Sequence, residues 1–227
     1  MISVLIPAYN ESNRLAETIH SLRATEENWE QIGEIVVVDD GSGDDTAVVA
    51  AASGARVIRL SRNQGKGRAL TIGLASLRGE IVLLVDADLQ GSAGQTLKLI
   101  EPILQGKADI AVAVFPKEKA GGGFGIARKT AQCGIKYLTG AMVEAPLSGQ
   151  RAAQKQVLES ILPFSEGFGL EIGMSIDALR RGYRVLEIPL DLAHCPPGKD
   201  WHGFWHRGRQ FYHICRVLWA KRHVNKE

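Results

Sequence analysis

The first half of the chain alternates between short apolar runs and longer stretches whose apolar positions recur at helical spacing. Several of the short runs are apolar at every position, which is typical of strands covered by helices on both faces. Strands are predicted over residues 3–6, 34–38, 56–60, 80–85 and 109–114. Helices are predicted over residues 13–24, 46–52, 67–77 and 96–104. This alternation predicts βαβ units and a mostly parallel sheet flanked by helices, which is the α/β class.

The second half of the chain is less regular. Residues 117–125 are rich in glycine and charge and predict a mobile loop. Helices are predicted over residues 126–138, 170–181 and about 203–221, and short strands over residues 148–152 and 184–190. The sequence shows no internal repeat and no clear linker, so it predicts a single domain over residues 1–227.

The charge balance of the chain is close to neutral. Its 227 residues include 27 Lys and Arg and 25 Asp and Glu, a net charge of +2 that argues against bulk nucleic-acid binding. Three scattered cysteines without C-x-x-C spacing argue against a disulfide scaffold or a zinc ribbon and fit a reducing cytoplasm. There is no signal-peptide pattern and no apolar run near the roughly 20 residues that span a bilayer. A cytoplasmic protein that at most rests on the inner face of a membrane is expected.

Polar clusters follow the first, second and fourth predicted strands. Because the carboxyl ends of parallel strands form one edge of a sheet, these clusters are expected to meet there. Asp86 and Asp88 directly follow a buried run, where two like charges are unfavourable unless a cation compensates them. A hard divalent cation with oxygen ligands is the natural candidate, and Gln90 adds another oxygen. The alternative is a solvated turn that happens to contain two aspartates.

The clusters after the first two strands each allow a structural and a functional interpretation. Asp39 and Asp40 fit a turn before a helix, or one of them could accept a hydrogen bond from a nucleotide base. Tyr9 could pack as an ordinary half-buried aromatic residue or stack on that base. There is no G-x-x-x-x-G-K-[ST] loop, which argues against a P-loop NTPase. There is no G-x-G-x-x-G after the first strand, which argues against an NAD-dependent Rossmann enzyme.

Four segments taken together resemble the family 2 glycosyltransferases with the GT-A fold. They are SVLIPAYNE, IVVVDDGSGDDT, RNQGKGRAL and GEIVLLVDADLQ, in the order and spacing typical of that family. The resemblance implies that Asp86 and Asp88 bind ribose and Mg²⁺ or Mn²⁺, and that Gln90 can also ligate the metal, as in members similar to dolichyl-phosphate mannose synthase. It implies that Lys66 lies near the donor phosphates. The residues that it implies hold the nucleotide of the donor are Pro7, Ala8, Tyr9, Glu11 and Asp40.

A weaker resemblance continues through the second half. The segment SGQR at residues 148–151 is similar to the S-G-F-R of the dolichyl-phosphate mannose synthases, with Gln150 in place of Phe. It implies that Arg151 faces a phosphate; a strand-edge arginine is the alternative. Glu171 aligns with the family's catalytic base, although Leu170 and Gly173 replace neighbouring acids of that motif. Glu171 could instead be an acid that the helix dipole favours at a helix N-terminus.

His194 and Lys199 are two further candidates that follow the last predicted strand. In several relatives, including the glucosyl-3-phosphoglycerate synthases, a histidine in this region reaches the metal or the diphosphate. His194 is therefore a candidate metal ligand and Lys199 a candidate diphosphate clamp. The alternative is that both are ordinary surface residues.

The C-terminal segment is basic and aromatic. Helical spacing places Phe204, Phe211, Cys215 and Leu218 on one stripe, which Ile214 and Trp219 flank. Arg209, His213 and Arg216 lie on the opposite face. This pattern predicts packing against the body of the domain. The alternative is a basic amphipathic helix resting on an anionic membrane.

The resemblance thus implies a metal-dependent inverting glycosyltransferase that uses a UDP- or GDP-sugar. Residues 1–115 would bind the donor, and residues 116–227 would face the acceptor. The incomplete acidic motif around Glu171, together with Arg151, favours a phosphate-bearing acceptor such as a polyprenyl phosphate. The alternatives are a transferase with a soluble acceptor, similar to glucosyl-3-phosphoglycerate synthase, a sugar nucleotidyltransferase, and a binding module without activity. Peripheral membrane contact and a homodimer stay open.

Overall fold

A computed structural model describes residues 1–24, 32–115, 124–192 and 201–223. The strands are β1 (Ile2–Ala8), β2 (Ile32–Asp39), β3 (Arg56–Arg59), β4 (Ile81–Leu84), β5 (Ile110–Val114), β6 (Arg151–Gln154) and β7 (Val185–Pro189). The α-helices are α1 (Ser12–Arg23), α2 (Thr46–Ala52), α3 (Lys66–Ser76), α4 (Glu101–Leu104), α5 (Phe124–Thr139), α6 (Lys155–Ser160), α7 (Leu170–Arg180) and α8 (Trp201–His223). Two 3₁₀ segments cover Gln90–Leu99 and Gly167–Gly169.

The seven strands form one sheet in the order β3-β2-β1-β4-β6-β5-β7. All neighbouring pairs are parallel except those of β6, which runs antiparallel to both β4 and β5. The predicted mostly parallel α/β sheet is therefore confirmed. β6 comes from the second half of the chain and lies between two strands of the first half, so the sheet joins the two halves.

Helices cover both faces of the sheet, and their apolar side chains form the core. Leu15 and Ile19 of α1 pack on one face, and Leu70 and Leu74 of α3 on the other. Burial on both faces explains why the strands are apolar without alternation. A third cluster joins α5, α7 and α8, and none of the described helices is long and apolar enough to cross a bilayer.

The helix predicted over residues 96–104 is different in the structure. A 3₁₀ segment at Gln90–Leu99 leads into the four-residue helix α4. Contacts with α1 hold this segment: the hydroxyl of Ser21 donates to the carbonyl of Gly91 at 2.8 Å and accepts from the amide of Gly94 at 3.0 Å. The spacing of the apolar residues therefore correctly predicted helical structure here. Much of the segment is a 3₁₀ helix, however, and contacts with α1 hold it in place.

The apolar stripe predicted for α8 is confirmed only in part: Leu218 packs against the cluster that joins α5, α7 and α8. Ile214 and Val217 are buried against α5 and α7, whereas Phe211 is 40% exposed and Cys215 is exposed. The reason is close helix packing: a Cβ atom on Gly169 would lie 2.1 Å from a methyl group of Val217. This glycine lets α8 approach the start of α7, and that approach turns Val217 inward. Phe204 and Arg209 have side chains outside the described part of the structure.

Candidate active site

The loops that follow β1 and β2 are tied together at the carboxyl edge of the sheet. Asn10 adopts a left-handed conformation with φ of 55°, which asparagine tolerates better than most residues. Its amide donates to the Ser42 hydroxyl and its side-chain oxygen accepts from the amide of Gly43, each at 2.9 Å. The amide of Glu11 donates to the Thr46 hydroxyl at 2.9 Å. These bonds fix the segment after β1, which carries several of the predicted nucleotide-binding residues.

The predicted nucleotide-binding residues of β1 and the loop after it lie on this rim. Pro7 and Ala8 are the last residues of β1, and the side chain of Tyr9 is 47% exposed beyond them. A cavity of about 360 Å³ opens nearby at the ends of β2 and β3. Its lining residues are Gly41, Ser42, Arg59, Leu60 and Ser61. The rim therefore has a concave surface at the ends of β2 and β3 and an exposed aromatic ring after β1.

Asp40 holds the loop that leads into α3. Its two carboxylate oxygens accept from the backbone amides of Gln64 and Gly65 at 2.8 and 2.7 Å, and the residue is buried. Gly65 has φ of 90°, a conformation that favours glycine. Asp40 thus places the N-terminus of α3, and with it Lys66, beside the ends of β1 and β2. This contact to the loop was not visible in the sequence.

Lys66 lies between two carboxylates from distant parts of the chain. Its Nζ is 2.7 Å from Oδ1 of Asp86 and 2.8 Å from Oε1 of Glu171. Burial alone would lower the pKa of Lys66, but the two carboxylates outweigh it and raise the pKa above its ordinary value. The ammonium group is therefore cationic, and it links the predicted metal-binding carboxylate to the predicted base.

Asp86 is also bound by Gln150, which precedes β6. The side-chain nitrogen of Gln150 donates to Oδ2 of Asp86 at 2.8 Å, and the backbone amide of Asp86 donates to the Gln150 side-chain oxygen at 3.0 Å. The sequence offered one signal for this residue, the replacement of Phe in the S-G-F-R segment. It did not identify the partner.

Asp88 and Glu11 add negative charge to the same rim. Burial and the neighbouring carboxylate of Asp88 raise the pKa of Glu11, while its ion pair with Arg14 opposes them. Gln90 behaves differently from the prediction: its side-chain nitrogen donates to Glu17 of α1 at 2.8 Å. The Gln90 side chain is thus directed to Glu17, and its predicted role as a metal ligand beside Asp86 and Asp88 finds no support in this contact.

The carboxylates of Asp86 and Asp88 fit a hard divalent cation. Oxygen donors suit Mg²⁺ and Mn²⁺, and Mg²⁺ is commonly held by one or two carboxylates together with substrate phosphates. Within the described ranges no group of three or more His, Cys, Asp and Glu side chains forms a complete metal cage. Two carboxylates plus a diphosphate is the arrangement that these residues allow. His194 and Lys199 lie outside the described residues.

Arg151 does not face the rim in the structure, contrary to the phosphate-facing role that the resemblance implied. The residue is 1% exposed, and its guanidinium donates to the carbonyl of Ser148 at 3.0 Å, the hydroxyl of Ser175 at 3.1 Å and the carbonyl of Glu171 at 2.9 Å. Burial lowers the pKa of Arg151 to about 10, although Glu171 and Glu187 oppose the shift. The cause of its inward direction is β6, whose position between two strands places Arg151 beneath the first turn of α7.

The chain is similar to known proteins in both sequence and fold. The family model of glycosyl transferase family 2 matches residues 3–164. Glucosyl-3-phosphoglycerate synthase of Mycobacterium tuberculosis is 34% identical over 204 residues, covering 79% of this chain and 61% of that protein. The glycosyltransferase AglJ of Haloferax volcanii is 26% identical over 88% of this chain and 65% of its own length. The chain spans about 60% of the length of the first of these curated relatives.

Solved structures share the whole described fold. The crystal structure of the M. tuberculosis glucosyl-3-phosphoglycerate synthase with Mn²⁺, UDP-glucose and phosphoglyceric acid superposes with a TM-score of 0.83 at 28% identity. The match covers 100% of this chain and 81% of that one. A second complex of the same enzyme, with Mg²⁺ and UDP, has a TM-score of 0.82. The family match over most of the chain and the shared GT-A architecture lead to one conclusion: the chain belongs to glycosyl transferase family 2.

Proposed function

We propose that this protein is a metal-dependent glycosyltransferase that moves a sugar from a UDP-sugar to a small, soluble, phosphate-bearing acceptor. The observation that carries the proposal is the bridge from Asp86 through Lys66 to Glu171. It brings the carboxylate that would meet the metal and donor into one site with the acid that would meet the acceptor. This proposal replaces the polyprenyl phosphate preferred from sequence, because the similar proteins include an enzyme crystallised with UDP-glucose and phosphoglyceric acid.

On the donor side, the rim residues would hold the nucleotide and its diphosphate. Tyr9 offers an exposed aromatic face, and Asp86 and Asp88 would hold Mg²⁺ or Mn²⁺. A cation bound there neutralises the charge that develops on the leaving diphosphate. Lys66 stands beside the same carboxylate and would add positive charge near the diphosphate, so stabilisation of the leaving group is the main catalytic contribution.

On the acceptor side, Glu171 would take the proton of an acceptor hydroxyl. That oxygen would attack the anomeric carbon, and the bond from this carbon to the diphosphate would break as UDP leaves. Arg151 holds the backbone of Glu171 from below, which makes it a positioning residue in this scheme. Glu171 can act as a base only when Lys66 no longer neutralises it. We therefore expect Lys66 to turn toward the diphosphate when the donor binds.

The testing experiment measures UDP release by the purified protein with Mn²⁺ and UDP-glucose. Phosphoglyceric acid and undecaprenyl phosphate in detergent serve as two separate acceptors. Release that depends on Mn²⁺ and is stimulated by phosphoglyceric acid is expected. Stimulation by undecaprenyl phosphate alone would contradict the soluble acceptor, and pyrophosphate formation from UTP and a sugar phosphate would contradict glycosyl transfer.

The configuration of the sugar in the product tests the role of Glu171 separately. A single in-line displacement with Glu171 as base inverts the anomeric centre, and ¹H NMR of the product shows this. Retention of configuration would contradict the base role of Glu171 and the inverting reaction expected from sequence. The proposed binding of the donor at Asp86 and Asp88 would still hold after that result.

A further inference from the structure

We propose that Gln150 is a positioning residue that fixes the carboxylate of Asp86 in the orientation needed to hold a divalent cation. This inference rests on the proposed function, because it concerns how the chain prepares the same site. Gln150 is 1% exposed and has no charge. It would act on the cation only through Asp86.

The antiparallel pairing of β6 with β4 explains why Gln150 meets Asp86. Arg151 stands opposite Leu84 in this pair. Continuing this register by two positions places Gly149 opposite Asp86, and Gln150 is the next residue along, within reach of Asp86. The Gln150 amide then makes two hydrogen bonds to this one residue, accepting from its backbone N–H at 3.0 Å and donating to Oδ2 at 2.8 Å. Backbone and side chain of Asp86 are thus held by the same rigid group.

Gly149 supplies the space for this arrangement. A Cβ atom at Gly149 would lie 2.7 Å from Oδ2 of Asp86 and 2.7 Å from Nζ of Lys66. Any side chain there would push the carboxylate away from its two partners. Gly149 therefore leaves space for the carboxylate of Asp86, and Gln150 forms hydrogen bonds with Asp86.

The neutral charge of Gln150 matters for a cation site. Lys66 contacts Oδ1 and Gln150 contacts Oδ2, and a carboxylate oxygen can have more than one partner. A second lysine or an arginine at position 150 would also fix Oδ2, but its charge would repel a divalent cation. A phenylalanine, as in the S-G-F-R segment, could make neither hydrogen bond. An amide orients the carboxylate without adding a positive charge that would repel the metal.

The experiment measures Mn²⁺ affinity by electron paramagnetic resonance of free Mn²⁺, with saturating UDP present and no acceptor. Gln150→Leu removes both hydrogen bonds and keeps a buried side chain of similar length. We expect its Mn²⁺ affinity to fall about 10- to 100-fold, as for other partners that orient metal ligands. Gln156→Leu is the matched control, because its amide is exposed and bonds Gln154, and it should bind Mn²⁺ like the unchanged protein. An affinity within twofold for Gln150→Leu would overturn the proposal.

Further outcomes separate this inference from folding effects and from the proposed function. If Gln150→Leu does not fold by circular dichroism, Gln150→Asn replaces it, because its amide is one methylene too short to make both bonds. A lower melting temperature with unchanged Mn²⁺ affinity would show a merely structural role and overturn the proposal. If the unchanged protein binds no Mn²⁺ with UDP, the proposed function itself fails. If the unchanged protein binds Mn²⁺ and Gln150→Leu and Gln150→Asn bind it equally well, only the role of Gln150 fails.

Discussion

At the scale of single residues, several buried side chains fix the positions of other groups in the candidate site. Arg151 is the clearest case, because its guanidinium donates to three protein oxygens beneath α7. Two of them are the carbonyls of Ser148, which precedes β6, and Glu171, at the start of α7. A buried arginine of this kind stabilises the fold because its loss removes three hydrogen bonds to these oxygens. Its contribution is to the position of Glu171, not to a substrate contact.

Replacing Arg151 with Met tests this role. The apolar side chain keeps much of the volume but leaves the buried carbonyls of Ser148 and Glu171 without these donors. We expect the free energy of unfolding, measured by urea denaturation, to fall by about 1–3 kcal/mol. Arg181→Met, at an exposed position just after α7, is the control and should change it little. Unchanged stability together with a raised KM for the acceptor would favour the phosphate-facing role that the resemblance implied.

At the scale of elements, the rim depends on how the loops after β1 and β2 are fastened. Asp44 accepts from the amide of Ser12, the first residue of α1, and from the amide and hydroxyl of Thr46, the first residue of α2. It therefore joins the starts of two helices. The hydrogen bonds from Thr46 and Ser12 lower the pKa of Asp44 from 3.8 to about 2.

This lowered pKa predicts how acid affects the rim. A carboxyl group whose pKa is lower in the folded state stabilises the fold when ionised. Its contribution is complete above pH 4 and is lost as the pH falls toward 2. NMR titration of the Asp44 carboxyl should give a midpoint near 2, and Asp44→Asn should show a flatter decline in stability over this interval. A midpoint near 3.8 would show that the carboxylate does not fasten these loops.

At the scale of the whole molecule, the sequence predicted what depends on local pattern. The strand runs are apolar because helices cover both faces, so β1 to β5 were predicted to within two residues at each end. The clusters at Tyr9, Asp40 and Asp86 were correctly expected at one edge, since parallel strands end together. The assignment of residues 1–115 to the donor and residues 116–227 to the acceptor stays a prediction.

What the sequence could not predict depends on pairing between distant segments. Nothing local shows that β6 inserts between β4 and β5, yet this insertion buries Arg151 and brings Gln150 to Asp86. The orientation of α8 was missed for a similar reason. Its apolar residues lie on more than one face. Val217, which packs closely against Gly169, is buried, whereas Phe211 is exposed.

The proposed function depends above all on Asp86 and Asp88 holding a divalent cation that binds the diphosphate of a UDP-sugar. Isothermal titration of UDP into the protein, with and without Mn²⁺, tests it most directly, using Asp88→Asn as the variant. The account predicts UDP binding that is strongly enhanced by Mn²⁺ in the unchanged protein and loses this enhancement in Asp88→Asn. Equal UDP affinity with and without Mn²⁺, or no UDP binding in either case, would contradict it.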